Sequence, residues 1–172
     1  RLMQERIEVI PPQLTPFMTQ YFVNRRAKAD FDVEKSSIPN FIIDFLYRLV
    51  NKEIKRYNDI MSSFRYYTPF DDIFELAKHI KDIVHLIAQF GEGWALPAEI
   101  VSLARNKADG VISLQPFGCI ANHVISKGVE NKIKQLFPDL TLLSLDFDSG
   151  VSPVNVENRL MMLIESIREQ RK

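Results

Sequence analysis

The sequence predicts an α/β fold, with a small parallel, doubly wound sheet that follows a helical N-terminal extension. Two short apolar runs, at about 111–115 and 141–147, are separated by a segment whose apolar residues repeat with a helical period. Strands joined through a helix form right-handed parallel βαβ units. We therefore expect a Rossmann-like or flavodoxin-like α/β domain over residues 91–172 and a mainly helical extension over residues 1–90.

The extension is predicted to contain two long amphipathic helices, near residues 40–66 and 70–90. Apolar residues keep a period of about 3.6 in both segments. Thr68 and Pro69 separate them, as the N-cap and first position of the second helix. We expect the two helices to pack against each other as an antiparallel hairpin.

Other segments carry clear boundary signals. Prolines within residues 7–23 disfavour a central strand there, and charge and turn residues over 24–40 predict a connector. In the second half, a helix is predicted over about 120–137. A final helix is predicted to begin after Ser152, with Pro153 at its first position.

Composition restricts the class of protein. The 172 residues are 46% hydrophobic, which is enough for one domain with a helical extension. Its 22 basic and 22 acidic residues balance, so we expect neither nucleic acid nor a membrane as partner. Charges interrupt every apolar run before the roughly 20 residues of a membrane span. A single cysteine fits a reducing, cytoplasmic setting, and the initial arginine suggests a piece of a longer chain.

The single cysteine, Cys119, is the leading candidate for chemistry. It follows the first predicted strand in a tight loop before a helix, at the carboxyl edge of the sheet where ligands bind. A thiol near a helix N-terminus is biased toward the thiolate, which binds metals. The alternative is a small buried hydrophobic residue. A cluster held by thiolates needs about four cysteines, so this chain cannot hold one alone.

Polar residues also follow the second predicted strand. Asp146 and Asp148 could bind a cation, a ribose or a substrate hydroxyl, or could form an ordinary strand-end turn. Asn155, Asn158 and Arg159 lie near the start of the final helix. They could reach those aspartates or a ligand phosphate, or they could be solvated surface residues.

Further candidates lie closer to the cysteine. Glu92 and Trp94 belong to a Gly-Glu-Gly-Trp loop that could line a cleft, although a tryptophan is more often part of the core. Gln115 and Asn122 are expected to shape the pocket. His123, four residues beyond the cysteine, is a possible proton donor or supporting group, or a surface histidine. We expect the polar groups at these strand and helix ends to border one concavity near the cysteine.

Several of these motifs combine in a recognisable pattern. They are Gly91-Glu-Gly-Trp94 with Glu99, Gln115-Pro-Phe-Gly-Cys119-Ile-Ala-Asn-His123, Lys127-Gly128, and Asp146-Phe-Asp-Ser-Gly150 with Asn155-Val-Glu-Asn-Arg159. Together they resemble the C-terminal portion of acyl-CoA dehydratase activase-related proteins, whose homologous module is the 2-hydroxyacyl-CoA dehydratase component. The resemblance covers roughly residues 58 to 165.

The resemblance implies a doubly wound fold and redox chemistry. In that family, cysteines at loop ends hold a 4Fe–4S cluster between domains. An ATP-driven, CoA-substrate-specific activase passes an electron to the cluster, and the dehydratase, a lyase of anaerobic metabolism, eliminates water from 2-hydroxyacyl-CoA through a ketyl radical. By this resemblance, Cys119 matches one ligand of the cluster, and cysteines outside this chain would supply the others. The other cluster cysteines and the nucleotide-binding motifs are missing from the sequence, so we expect no activity from this chain alone, and no residue is assigned to catalysis.

The leading hypothesis is therefore a module of an iron–sulfur dehydratase-like or activase-related protein that contributes a cluster ligand and part of an acyl-CoA or redox cleft. Its partners would be the remainder of a longer polypeptide or dehydratase and activase subunits. The alternative is a non-catalytic interaction domain that docks a dehydratase or activase partner through its helical half. A weaker third hypothesis is a small-molecule binder at the Asp146 and Asp148 edge.

Overall fold

A computed structural model of the chain describes residues 1–33 and 38–171. After a short 3-10 helix, Leu2–Glu5, come α1 (Leu14–Asp30), α2 (Asn40–Met61), α3 (Ile73–Ile80) and α4 (Ala95–Arg105). They are followed by β1 (Gly110–Pro116), a π-helix (Ala121–Ser126), α5 (Glu130–Leu136), β2 (Thr141–Phe147) and α6 (Pro153–Gln170).

The two strands form a parallel pair, as predicted. Gly110 lies opposite Thr141 and the register continues to Pro116 opposite Phe147. The crossover runs through the π-helix and α5, and α6 packs on β2. A Cβ atom at Gly110 would lie 2.9 Å from the Ile167 side chain, so the glycine lets α6 approach the sheet. The part of the chain that the structure describes is thus an α/β arrangement around a two-stranded parallel sheet.

The core lies where the helices meet the sheet. Its fully or almost fully buried side chains come from both sides of residue 91: Ile73, Leu76, Ile80, Trp94, Ala98, Val101 and Ile133. Burying side chains of this size is the main stabilising term of a small domain. One core therefore holds α3, α4 and the βαβ unit together.

The long helix predicted near residues 70–90 is wrong. The helix ends at Ile80, and turns follow. His85 Nδ1 accepts the Ile87 amide at 3.3 Å, and Gln89 bonds the Asn24 carbonyl at 3.1 Å. These local and tertiary bonds compete with helix continuation. The helix also begins later than expected, because Asp72 rather than Thr68 caps it by accepting the Phe74 amide.

The helix predicted near 40–66 is present as α2, but it ends at Met61, where the Ser62 and Ser63 hydroxyls bond back to the helix carbonyls. The predicted hairpin of two paired helices is wrong, because α3 packs chiefly on α4 and α1 and meets α2 near its own first turn. The apolar face of α2, which that hairpin would have buried, is largely exposed. Six of its side chains, each 38–59% exposed, form what we call the α2 stripe: Ile42, Phe45, Leu46, Leu49, Tyr57 and Ile60.

The body of the protein holds α2 by a different face. Ile43 is buried, and the Tyr47 ring packs at 4.7 Å from the Phe74 ring, measured between centroids. The Asn51 side chain donates to Asp72 at 2.9 Å. None of the helices among the described residues combines the length and apolarity needed to cross a membrane.

The connector predicted over 24–40 is wrong in its first part, because α1 continues to Asp30. Pro16 lies in the first turn of α1, where proline is tolerated. The buried face of α1 includes the polar or small residues Thr19, Gln20 and Ala27, which hides the helical period. Residues 34–37 of the predicted connector lie outside the described residues.

The helix predicted over 120–137 is present between the two strands, but it is not one continuous α-helix. The chain forms the π-helix and then, after Gly128 and Val129, α5. Val129 leaves helical geometry, with φ −103° and ψ 0°. The final helix begins as predicted, with Ser152 at the N-cap and Pro153 at the first position.

Candidate functional site

Cys119 lies between the carboxyl end of β1 and the π-helix, and it is partly exposed. The turn that places it closes when the Cys119 amide donates to the Pro116 carbonyl at 3.1 Å. Gly118 has φ +78° in this turn, a conformation that favours glycine. The Phe117 amide extends the ladder to the Phe147 carbonyl at 2.9 Å. The thiol is thereby held at the edge where parallel sheets bind ligands.

The π-helix orients the groups around the thiol. Asn122 is 8% exposed, and its side-chain amide donates to the Cys119 sulfur at 3.2 Å. The His123 amide donates to the Cys119 carbonyl at 3.0 Å, and His123 Nδ1 lies 3.1 Å from the same oxygen. A π-helical turn inside a helical segment often marks a functional position. A hydrogen-bond donor stabilises negative charge on the sulfur it contacts, and a thiolate that binds a metal carries such a charge.

His123 connects the cysteine loop to the second strand. Its Nε2 lies 3.5 Å from the Asp146 carboxylate, while Nδ1 faces the Cys119 carbonyl. Both ring nitrogens therefore face oxygen acceptors, and both contacts become hydrogen bonds when both nitrogens carry protons. The carboxyl ends of both strands thus contribute to one group of side chains: Cys119, Asn122, His123 and Asp146.

Gln115 lies beside this group and is the most unusual residue in the sheet. It pairs with Asp146 in the strand register, so both side chains leave the same face of the sheet. Its side chain is 0% exposed, and neither amide atom has a hydrogen-bond partner among the described residues. Leaving a buried polar group unpaired costs about 1–3 kcal/mol. Stability alone does not explain a glutamine here.

The Gly-Glu-Gly-Trp loop adjoins the π-helix. A Cβ atom at Gly91 would lie 3.6 Å from the Ala121 Cβ, so the backbone before Glu92 runs next to the cysteine segment. Trp94 is fully buried, and its indole N–H donates to the Asn24 side chain at 2.6 Å. Trp94 is therefore a core residue, which was the alternative that the sequence left open.

Four predicted residues make other contacts or none. Asp148 accepts the Gly150 amide at 2.7 Å, which forms an ordinary strand-end turn. Arg159 donates to the Ser144 carbonyl at 2.6 Å in the middle of β2. Asn155 and Asn158 are exposed on α6. The bonds of Asp148 and Arg159 are local or to the strand backbone, and neither joins the hydrogen-bonded group around Cys119.

Glu99 on α4 is a chemically unusual residue that the spacing arguments did not single out. Burial raises its pKa to about 7, and the negative charges of Asp71 and Glu92 add to the effect. Asp71 itself accepts the Ser102 hydroxyl at 2.7 Å. In the sequence, Glu99 could have been found as a lone glutamate beside the small residues Ala95 and Ser102, which lie on the buried side of the helix.

The donor set for a metal ion is small. Within residues 1–33 and 38–171, no three His, Cys, Asp or Glu side chains are grouped so that they could hold one. Cys119 is the single cysteine of the chain. This part of the chain therefore offers one partly exposed thiol whose sulfur accepts a hydrogen bond. No protein-family model, curated protein or solved structure matches the chain.

Proposed function

We propose that this chain is a module of an iron–sulfur 2-hydroxyacyl-CoA dehydratase-like or activase-related protein. Cys119 supplies one thiolate to a 4Fe–4S cluster whose remaining ligands come from other polypeptide. The two strands belong to a doubly wound sheet that is complete only in that assembly. The observation that carries the proposal is the partly exposed thiol at the carboxyl edge of the parallel pair, with the Asn122 amide on its sulfur.

The residues present match what one ligand position of such a cluster requires. Cluster ligands are thiolates at loop ends, and hydrogen bonds to the sulfur tune the cluster. Cys119 and Asn122 provide both features from one short segment. The cluster, when bound, supplies electron transfer, while this chain supplies the ligand, the sulfur donor and the surrounding backbone.

The unpaired amide of Gln115 supports the proposal of a ligand site next to the thiol in the intact protein. Its buried amide carries one acceptor and two donors, and none of them is used by the described residues. A 2-hydroxyacyl thioester offers a carbonyl acceptor and a hydroxyl group that match this set. In the proposal, Gln115 orients the acyl group, and Asp146 and His123 border the same edge.

The test replaces Cys119 with serine in the intact protein, followed by anaerobic reconstitution. We expect Cys119→Ser to lose bound iron and the visible absorbance of the cluster. Phe117→Ala, in the same turn and 82% exposed, is the matched control and should keep both. Unchanged iron content in Cys119→Ser would refute the ligand role. Gln115→Leu should keep the iron and weaken acyl-CoA binding, measured by calorimetry.

A second function is favoured by a separate observation. The exposed α2 stripe lies on a helix that the body of the protein holds by another face. We propose that the helical half docks a dehydratase or activase partner there. Leu49→Glu should then abolish binding to that partner, measured by analytical ultracentrifugation. Iron bound through Cys119 should be unchanged.

A further inference from the structure

The α2 stripe is an apolar surface without cover from the described residues. Its six side chains recur at helical spacing from Ile42 to Ile60. Nineteen helical residues extend over roughly 28 Å. Monomeric proteins rarely leave a contiguous apolar patch larger than a few hundred Å². The stripe is therefore long enough to bind one helix of similar length.

One border of the stripe is basic. Arg48, Lys52, Lys55 and Arg56 follow one another along that side of α2, and Asp59 lies at its C-terminal end. The first three form no ion pair within residues 1–33 and 38–171. Arg56 lies 3.7 Å from Glu53, and the side chains of both are more than half exposed. Arg48, Lys52 and Lys55 thus present positive charge that the described residues do not neutralise.

The charges argue against two other binding partners for the α2 stripe, a second copy of the chain and a lipid surface. A two-fold axis perpendicular to α2 would place the α2 of a second copy antiparallel to the first. The basic borders of the two copies would then face each other. Arg48 would then approach Arg56 of the other chain, and like charges repel. A lipid surface is disfavoured by Glu53, because its carboxylate lies within the stripe and is costly to bury in hydrocarbon. Under a single partner helix, Glu53 keeps its ion pair with Arg56 at the border of the stripe.

We propose that the α2 stripe docks an amphipathic helix of a partner protein whose apolar face is bordered by acidic residues. This inference rests on docking, the second of the proposed functions, and adds the chemistry of the partner. Apolar side chains of the partner cover Leu46, Leu49 and Tyr57. Its acidic border pairs with the basic border of α2, which sets the orientation and selects against other helices.

The test uses two synthetic helices of the same length as α2, 22 residues. Both carry leucines along one face, and the border residues are glutamate in one peptide and lysine in the other. Binding to the chain is measured by fluorescence anisotropy. We expect the acidic peptide to bind at least about tenfold more tightly, or 1.4 kcal/mol. The triple variant Arg48→Glu, Lys52→Glu and Arg56→Glu should reverse that preference.

Variants of apolar residues separate docking from partner chemistry. Leu49→Glu should weaken binding of both peptides by about tenfold or more, whereas Met162→Glu, at an exposed apolar position on α6 outside the stripe, should change neither. Equal binding of the two peptides, or a preference for the basic one, would overturn the acidic partner while docking stands. Docking itself fails if Leu49→Glu has no effect. Binding to phosphatidylserine vesicles alone, or a dimer that Leu49→Glu dissociates, would also overturn the proposal.

Discussion

Among single residues, Glu99 shows most directly how burial changes chemistry. Its carboxyl lies on α4 with two other acidic residues nearby, and no cation is among the causes that act on its pKa. Removing a carboxylate from water disfavours the charged form, and neighbouring negative charge acts in the same direction. Its pKa of about 7 therefore makes Glu99 a group that changes protonation near neutral pH.

The first prediction concerns the pH dependence of stability. Folded Glu99 keeps its proton up to about pH 7, whereas the unfolded glutamate loses it near 4.5. Between these values the folded state binds more protons, so its free energy of unfolding falls as the pH rises. Glu99→Gln should be more stable than the wild type by about 2–3 kcal/mol at pH 8 and close to it at pH 5. Urea denaturation at both values measures the difference.

A matched control for this effect is Glu75→Gln, because Glu75 is exposed and bonds Lys78 on the surface of α3. Its stability difference from the wild type should stay small at both values. If Glu99→Gln is equally stable relative to the wild type at pH 5 and pH 8, the carboxyl is not desolvated as described.

At the level of elements, the loop between α3 and α4 depends on glycine. Gly93 has φ +50°, and a Cβ atom there would lie 2.1 Å from the Ala88 carbonyl oxygen. The same turn is closed by the Trp94 amide, which donates to that oxygen at 2.9 Å. The turn directs Trp94 into the core and brings Gly91 against the π-helix. The loop thus connects the core with the cysteine segment.

Gly93→Ala is therefore expected to destabilise the fold by about 2–4 kcal/mol, through backbone strain and a steric overlap with backbone atoms. Gly128→Ala is the matched control, because a Cβ atom there meets nothing within 4 Å. Thermal unfolding followed by circular dichroism gives both values. A Gly93→Ala midpoint equal to that of the control would contradict the geometry of this turn.

Over the whole molecule, apolar residues divide between the shared core and the α2 stripe. Leu76 is 1% exposed and packs among α3, α4 and the sheet, whereas Leu49 is 48% exposed. Hydrophobic stabilisation scales with the area removed from water. The two leucines therefore differ in their contribution to folding although they have the same chemistry.

The matched substitutions Leu76→Ala and Leu49→Ala measure this division. We expect a loss of 2–5 kcal/mol for the buried leucine, from lost transfer energy and a cavity. The exposed leucine should change the free energy of unfolding by about 0.5 kcal/mol or less. Chemical denaturation of the isolated chain gives both numbers. A large loss at Leu49 would mean that the stripe is already covered within the monomer.

Local signals in the sequence were sufficient for part of the fold. The apolar runs predicted both strands and their parallel pairing, and Ser152-Pro153 predicted the start of α6. The position of Cys119 after β1 followed from the same pattern. These features depend on periodicity and on capping, which neighbouring residues determine.

Only the tertiary structure decided which surfaces meet. Periodicity identified the apolar face of α2 but not that polar contacts of another face, such as Asn51 to Asp72, hold the helix. It also missed the end of α3 at Ile80, after which the chain turns and the bonds of His85 and Gln89 hold a non-helical segment. Gln115, which has no hydrogen-bond partner among the described residues, and the raised pKa of Glu99 both follow from burial among residues distant in sequence. Burial depends on how elements pack, and a local pattern does not contain that information.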